Sequence, residues 1–128
     1  MLVNIQRVSS ASVQVGENTI GSIGLGLLTL VCAMPGDTNN TCEKVAEKLS
    51  KIRVFNDRFG KMNRSLLDVK GSVLMVSQFT LAANTKSGSR PDFSKAMCPA
   101  EAKKIFYELV EQIKNKDIKI KTGIFGVH

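Results

Sequence analysis

The chain has 128 residues, of which 43% are hydrophobic and 23% are charged, values typical of one soluble globular domain. No apolar run approaches the ~20 residues of a membrane-spanning helix, and three widely spaced cysteines with a single histidine, His128, disfavour a zinc site. Eighteen Lys and Arg against eleven Asp and Glu give a formal net charge of +7, which favours a polyanionic partner without requiring one.

Alternation of apolar and polar residues predicts a strand over residues 2–8. Val3, Ile5 and Arg7 share one face of it, so Arg7 is expected to follow two apolar residues onto the inward face. Further strands are predicted up to the first helix: 11–15, about 19–23, and the continuous apolar run 27–33, which indicates a central strand buried on both faces.

Two segments carry apolar residues at the spacing of a helix face. The first follows Pro35, with Asp37, Thr38 or Thr41 as its cap, and the second starts at Pro99, a residue suited to the first position of a helix. The apolar positions are Cys42, Val45, Ala46, Leu49 and Ile52 in the first helix, and Ala102, Ile105, Phe106, Leu109, Val110 and Ile113 in the second.

The rest of the chain is predicted to be strands and loops. The strands are 53–55, 71–81 and 118–121, and the loops are 56–63 and the long, aperiodic stretch 82–98, whose length is typical of a functional loop. Together the elements predict an α/β fold of layered mixed β-sheets, barrel-like, packed against two amphipathic helices.

The run Ser77-Gln78-Phe79-Thr80-Leu81 is the leading candidate for a functional site. It follows an apolar strand, and polar groups at a strand end are held by a rigid scaffold while they reach solvent. Since the sole histidine is the last residue, no obvious Ser–His or Cys–His pair is available to activate a nucleophile. Taken alone, these residues are more typical of ordinary strand positions that hydrogen-bond a neighbouring loop than of a catalytic site.

The chain resembles the D-aminoacyl-tRNA deacylase family over nearly its whole length. The matching stretches, in order, are Ile5-Gln-Arg-Val8, Ala11-Ser-Val13, Phe55-Asn-Asp57, Gly60-Lys-Met-Asn63, Gly71-Ser-Val-Leu74, Val76-Ser-Gln-Phe-Thr-Leu-Ala82, Arg90-Pro-Asp-Phe-Ser94 and Thr122-Gly-Ile-Phe-Gly126.

The resemblance implies a cytosolic homodimer that hydrolyses the ester between a D-amino acid and the terminal ribose of tRNA, and that also removes mischarged glycine. It implies active sites at the dimer interface, no cofactor, no metal, and neither a membrane nor DNA as a partner. The implied catalytic residues are Ser77, Gln78, Phe79 and Thr80, and the implied substrate-binding residues are Arg7, Leu81, Ala82, Arg90, Pro91 and Phe93.

The chemistry of the candidate residues agrees with an activated ester as substrate. Such an ester needs donors aimed at the oxyanion more than it needs acid–base help, and backbone N–H groups around Phe79 and Thr80 are candidates. The resemblance implies that the 2′-hydroxyl of the ribose helps to activate water, with Gln78 positioning the substrate while Ser77 and Thr80 shape the pocket.

One departure concerns the C-terminus. The family continues past the Thr122–Gly126 stretch into a strand region with a Gly-Pro pair that rejects L-amino acids in the partner's pocket, and Arg7 resembles the arginine that braces this pair. The prolines here are Pro35, Pro91 and Pro99, so residues 1–128 are expected to form a single domain that is incomplete at its C-terminus.

Two other functions are compatible with parts of this pattern. A non-catalytic RNA-binding module would use the same basic charge and would bind tRNA in a salt-dependent manner without turnover. An esterase of small molecules would hydrolyse simple activated esters and would not need the net charge of +7.

Overall fold

The structure is a computed structural model that describes residues 1–82 and 97–126. Its centre is a four-stranded mixed sheet in the order β1-β4-β7-β8. Strand β1 (Leu2–Val8) runs antiparallel to β4 (Gly26–Cys32), whereas β4, β7 (Ser72–Ser77) and β8 (Lys119–Thr122) run parallel. The carboxyl ends of β4 and β7 therefore meet at one edge, with Val31 opposite Ser77.

Close approach fixes the other end of these two strands. A Cβ atom on Gly26 would lie 1.8 Å from the Ser72 carbonyl oxygen, so only glycine lets β4 begin directly beside β7. This contact sets the register that brings Val31 and Ser77 together five residues later.

Two antiparallel hairpins accompany the central sheet. Strands β2 (Ala11–Val15) and β3 (Asn18–Ile23) form the first, and it packs on the face of the sheet that carries Leu74. Strands β5 (Arg53–Asn56) and β6 (Met62–Ser65) form the second.

Both helices cover the opposite face. Helix α1 spans Asn39–Lys51 and α2 spans Pro99–Lys114, and the two pack against each other. Their apolar stripes join the odd-numbered residues of β4 and β7 in one core that includes Leu27, Val31, Val73, Met75, Ala46, Leu49, Phe106 and Leu109. Burial of these stripes holds the helices in place, because short helices are marginal without tertiary packing.

The predicted fold class is confirmed: mixed sheets pack against two amphipathic helices. Thr38 is the N-cap of α1, and its backbone N–H donates to the Thr41 hydroxyl at 3.0 Å, so two of the three candidate residues share the cap. Asp37 instead accepts from the N-terminal amine of Met1 at 2.9 Å.

Three local predictions are wrong. Strand β6 lies partly inside the predicted loop 56–63, because hydrogen bonding across the hairpin overrides the weak strand propensity of Met62-Asn63-Arg64. The strand predicted over 71–81 ends at Ser77, and Phe79–Ala82 is a 3₁₀ helix. Arg7 shares the face of Val3 and Ile5 but is exposed, since its guanidinium reaches out to the second hairpin.

Candidate active site at the ends of strands β4 and β7

A cavity of about 320 Å³ lies where the two central parallel strands end. Three segments contribute most of its wall: the end of β4, the residues that follow β7, and the first turn of α2. The lining residues within the described part of the chain are Val31, Cys32, Ala33, Ser77, Gln78, Phe79, Met97, Pro99, Ala102, Phe125 and Gly126. The wall is therefore mainly apolar, with a few polar groups from one strand end.

Ser77 fixes the geometry of this edge. Its side chain is buried, and its hydroxyl oxygen accepts a hydrogen bond from the Gly126 backbone N–H at 3.3 Å. The prediction that its side chain reaches solvent is wrong, because the segment after β8 closes over it. Ser77 thus joins two walls of the cavity.

The next residue extends the strand pairing by one bond. The Gln78 backbone N–H donates to the Val31 carbonyl at 2.8 Å, and the Leu81 N–H donates to the Gln78 carbonyl at 3.3 Å, which starts the 3₁₀ helix. The Gln78 side chain is half-buried in the cavity wall, a position from which an amide can contact a bound ester.

The 3₁₀ helix turns the chain outward at the cavity. Phe79 lines the cavity with 46% of its surface exposed, and Thr80 is exposed in the first turn of the helix. Since the first N–H groups of a helix have no acceptor within it, the Thr80 N–H is a candidate oxyanion donor. Thr80, Leu81 and Ala82 are not among the described lining residues.

Cys32 lies in the wall but is unsuited to act as a nucleophile. Burial raises the pKa of its thiol above the ordinary value, and the positive N-terminus and the Ala82 backbone offset this only in part. Burial likewise raises the pKa of Cys42, in the helical core, to about 11. Both thiols are therefore protonated at neutral pH. A cysteine nucleophile must be a thiolate, so neither thiol is suited to that role.

No ionisable base lies in the described wall of the cavity, which has no carboxylate, imidazole or amine. Within residues 1–82 and 97–126, no group of three or more His, Cys, Asp or Glu side chains is placed to hold a metal ion. Across the same residues, no helix is long and apolar enough to cross a membrane.

The structure separates Arg7 from this edge. Arg7 pairs with Leu27 on β4, four residues before Val31, which is about 13 Å along a strand. It lines a second cavity instead. Arg90, Pro91 and Phe93 lie outside the described residues, as does His128.

The residues that sequence reasoning missed come from β4, from α2 and from the segment after β8. Cys32 and Ala33 were assigned to the core, and Met97 and Ala102 belong to a loop end and a helix face. Parallel pairing of β4 and β7 was the missing fact, because it brings both carboxyl ends to one edge. The matched stretch Thr122–Gly126 was the signal that pointed to Phe125 and Gly126.

Comparison with known proteins gives a consistent result. The family model described as D-Tyr-tRNA(Tyr) deacylase matches residues 4–128. A D-aminoacyl-tRNA deacylase of Stenotrophomonas maltophilia (strain R551-3) is 52% identical over 129 aligned residues, which cover 100% of this chain and 88% of that protein.

Solved structures agree on the fold. A chain described as the c-Myc DNA Unwinding Element Binding Protein superposes with a TM-score of 0.89 and 36% identity, over 98% of this chain and 85% of that one. A probable eukaryotic D-amino acid tRNA deacylase superposes with a TM-score of 0.84 at 11% identity, over 98% and 89% of the two chains, and so supports the fold alone. The chain belongs to the D-Tyr-tRNA(Tyr) deacylase family.

Proposed function

We propose that this protein is a D-aminoacyl-tRNA deacylase, an ester hydrolase that releases a free D-amino acid, or mischarged glycine, from tRNA. The observation that carries the proposal is 52% identity over the whole chain to a relative of that name. The cavity at the ends of β4 and β7 supports it, because the family-matched Ser77, Gln78 and Phe79 all lie in its wall.

The reaction is the addition of water to the ester carbonyl, followed by breakage of the bond to the ribose oxygen. The carbonyl oxygen gains negative charge in the transition state, and a positioned backbone donor stabilises that charge. We assign this role to the N–H of Thr80, in the first turn of the 3₁₀ helix, and a positioning role to the Gln78 amide. Since the described wall holds no base, the ribose 2′-hydroxyl of the substrate is the group proposed to assist the attacking water.

We also propose that the working enzyme is a cytoplasmic homodimer. Within one chain the structure leaves Arg7 about 13 Å along the sheet from the level of Ser77. A site that uses both would take Arg7 from the second chain, in agreement with the active sites at the dimer interface that the family resemblance implies. We propose that substrate binding is completed by Arg7, Arg90, Pro91 and Phe93. We also propose that residues 1–128 act as a single domain.

The deciding experiment measures hydrolysis of D-Tyr-tRNA, L-Tyr-tRNA and Gly-tRNA by the purified protein. We expect release of D-tyrosine and of glycine. Failure to hydrolyse any of the three, with tRNA binding retained, would favour a non-catalytic RNA-binding module instead.

Two substitutions then separate the backbone role of Thr80 from a role of its hydroxyl. Thr80→Ser keeps the hydroxyl and Thr80→Val removes it, while both keep the backbone N–H. We expect kcat on D-Tyr-tRNA within about tenfold of wild type for both variants, because the backbone supplies the oxyanion donor. A loss of 10³-fold or more in Thr80→Val alone would assign nucleophilic or proton-transfer chemistry to the hydroxyl.

A further inference from the structure

The β5–β6 hairpin and the turn after it hold a large share of the net positive charge. Residues 53–70 contain five basic and two acidic side chains, a net charge of +3 out of +7 for the whole chain. Within the described residues, none of the five basic groups forms an ion pair with a carboxylate. The basic residues are Arg53, Arg58, Lys61, Arg64 and Lys70.

Both acidic residues of this stretch hold the backbone in place. Asp57 accepts hydrogen bonds from the backbone N–H groups of Phe59 at 2.8 Å and Lys61 at 3.0 Å, and from the Asn63 amide at 3.0 Å. These bonds, the Lys61 N–H first among them, hold the pKa of Asp57 below its ordinary value. Gly60, at φ +78°, closes the turn. In the same way, Asp68 accepts from the Ser65 backbone N–H at 2.8 Å.

This turn presents apolar side chains to solvent. Phe59 in the turn is 73% exposed, and Met62 at the start of β6 is 60% exposed, although hydrogen bonds to Asp57 fix this turn. The Arg58 guanidinium carbon lies 4.9 Å from the centroid of the Phe59 ring. An exposed aromatic ring flanked by cations is the arrangement on which proteins stack nucleic-acid bases.

A second pair of cations faces a cavity at the base of the hairpin. Arg7 donates to the Val54 carbonyl at 2.8 Å, and Arg64 donates to the Asp68 carbonyl at 3.0 Å. Both line one cavity of about 460 Å³, together with Asn56. Guanidinium groups that share a cavity suit a phosphate, because their planar N–H groups match its oxygens.

We infer that the β5–β6 hairpin is a contact for the RNA body of the substrate, in which Phe59 stacks on a base and Arg58 and Lys61 contact phosphates. The inference rests on the proposed function, which supplies tRNA as the ligand. The hairpin joins the sheet at the level of Arg7, away from the cavity at the ends of β4 and β7. Within one chain the hairpin therefore lies apart from the ester cavity. Since Arg58, Phe59 and Lys61 are not in the described wall of that cavity, they add affinity for tRNA without entering the chemistry.

The test measures binding of uncharged tRNA as a function of salt, which involves no reaction. Arg58→Ala/Lys61→Ala removes two charges from the hairpin, and Lys44→Ala/Lys48→Ala removes two from the exposed side of α1 as the matched control. We expect Arg58→Ala/Lys61→Ala to make the negative slope of log affinity against log salt shallower by about two. The control variant Lys44→Ala/Lys48→Ala should leave this slope unchanged.

Phe59→Ala separates stacking from charge. We expect it to weaken tRNA binding about tenfold with no change in the salt slope. Equal effects of the two charge variants on the salt slope would overturn the inference, and so would unchanged tRNA affinity in Phe59→Ala. Binding of a DNA duplex of the same sequence as tightly as tRNA would also overturn it. Hydrolysis of D-Tyr-tRNA by the wild type tests the proposed function separately, so either idea can fail alone.

Discussion

Thr29 is a polar side chain placed in the apolar core. It is fully buried in the middle of β4, on the face that the helices cover, and its hydroxyl has no hydrogen-bond partner among the described residues. A buried hydroxyl without a partner costs about 1–3 kcal/mol. We expect Thr29→Val, which has the same shape without the polar atom, to raise the free energy of unfolding by about 1 kcal/mol in chemical denaturation.

The matched variant is Thr29→Ser, which keeps the hydroxyl and removes the methyl group. It should lower the free energy of unfolding by about 1 kcal/mol through lost burial. A lower stability for Thr29→Val than for wild type would show that the hydroxyl is satisfied after all.

The two helices are joined at one end by a charged cluster. Glu47 on α1 pairs with Lys116, just beyond the end of α2, and with Lys51 in its own last turn. These two lysines, Lys116 first, lower the pKa of Glu47 from 4.5 to about 2. A carboxylate whose pKa is lowered on folding stabilises the protein above its unfolded pKa and loses that effect as the pH falls through the folded pKa.

We therefore expect wild type to unfold at a higher temperature than Glu47→Gln at neutral pH. The difference should shrink as the pH falls from about 4.5 to about 2, measured by circular dichroism. Glu43→Gln, on the same helix and outside this cluster, is the control and should show no such convergence. A difference that stayed constant down to pH 2 would argue against the ion pair as its source.

At the scale of the whole molecule, the proposed dimer has direct consequences. Phe79 in the cavity wall and Ile124, which precedes the lining residue Phe125 in the chain, leave 46% and 49% of their surfaces exposed, an apolar area that a second chain can cover. We expect a mass of twice 13.9 kDa by sedimentation equilibrium. Specific activity per chain should also fall on dilution below the dissociation constant of the dimer, since each site would need two chains. A mass of 13.9 kDa with constant specific activity would refute a shared site.

The elements of the fold were largely predictable from local patterns. The alternation in residues 2–8 and the helical spacing around Ala46 and Phe106 gave the right elements, because burial of one face imposes a period on the sequence. The helical end of the 71–81 segment and strand β6 were not predictable in this way. Pairing with β5 decides strand β6. The 71–81 strand ends where its pairing with β4 stops, after the Gln78 N–H to Val31 bond, and the Leu81 N–H then turns to the Gln78 carbonyl.

The sequence by itself determined the family and located its signature at the end of a buried strand, since the order of residues from Val76 to Ala82 is specific without any structure. Only the tertiary structure decided what surrounds that signature. Parallel pairing brought Cys32 and Ala33 beside it, the chain after β8 placed Gly126 on the Ser77 hydroxyl, and Arg7 went to the hairpin end of the sheet. The physical reason is that a sequence pattern records which face of an element is buried, whereas contacts between distant segments depend on strand order and register.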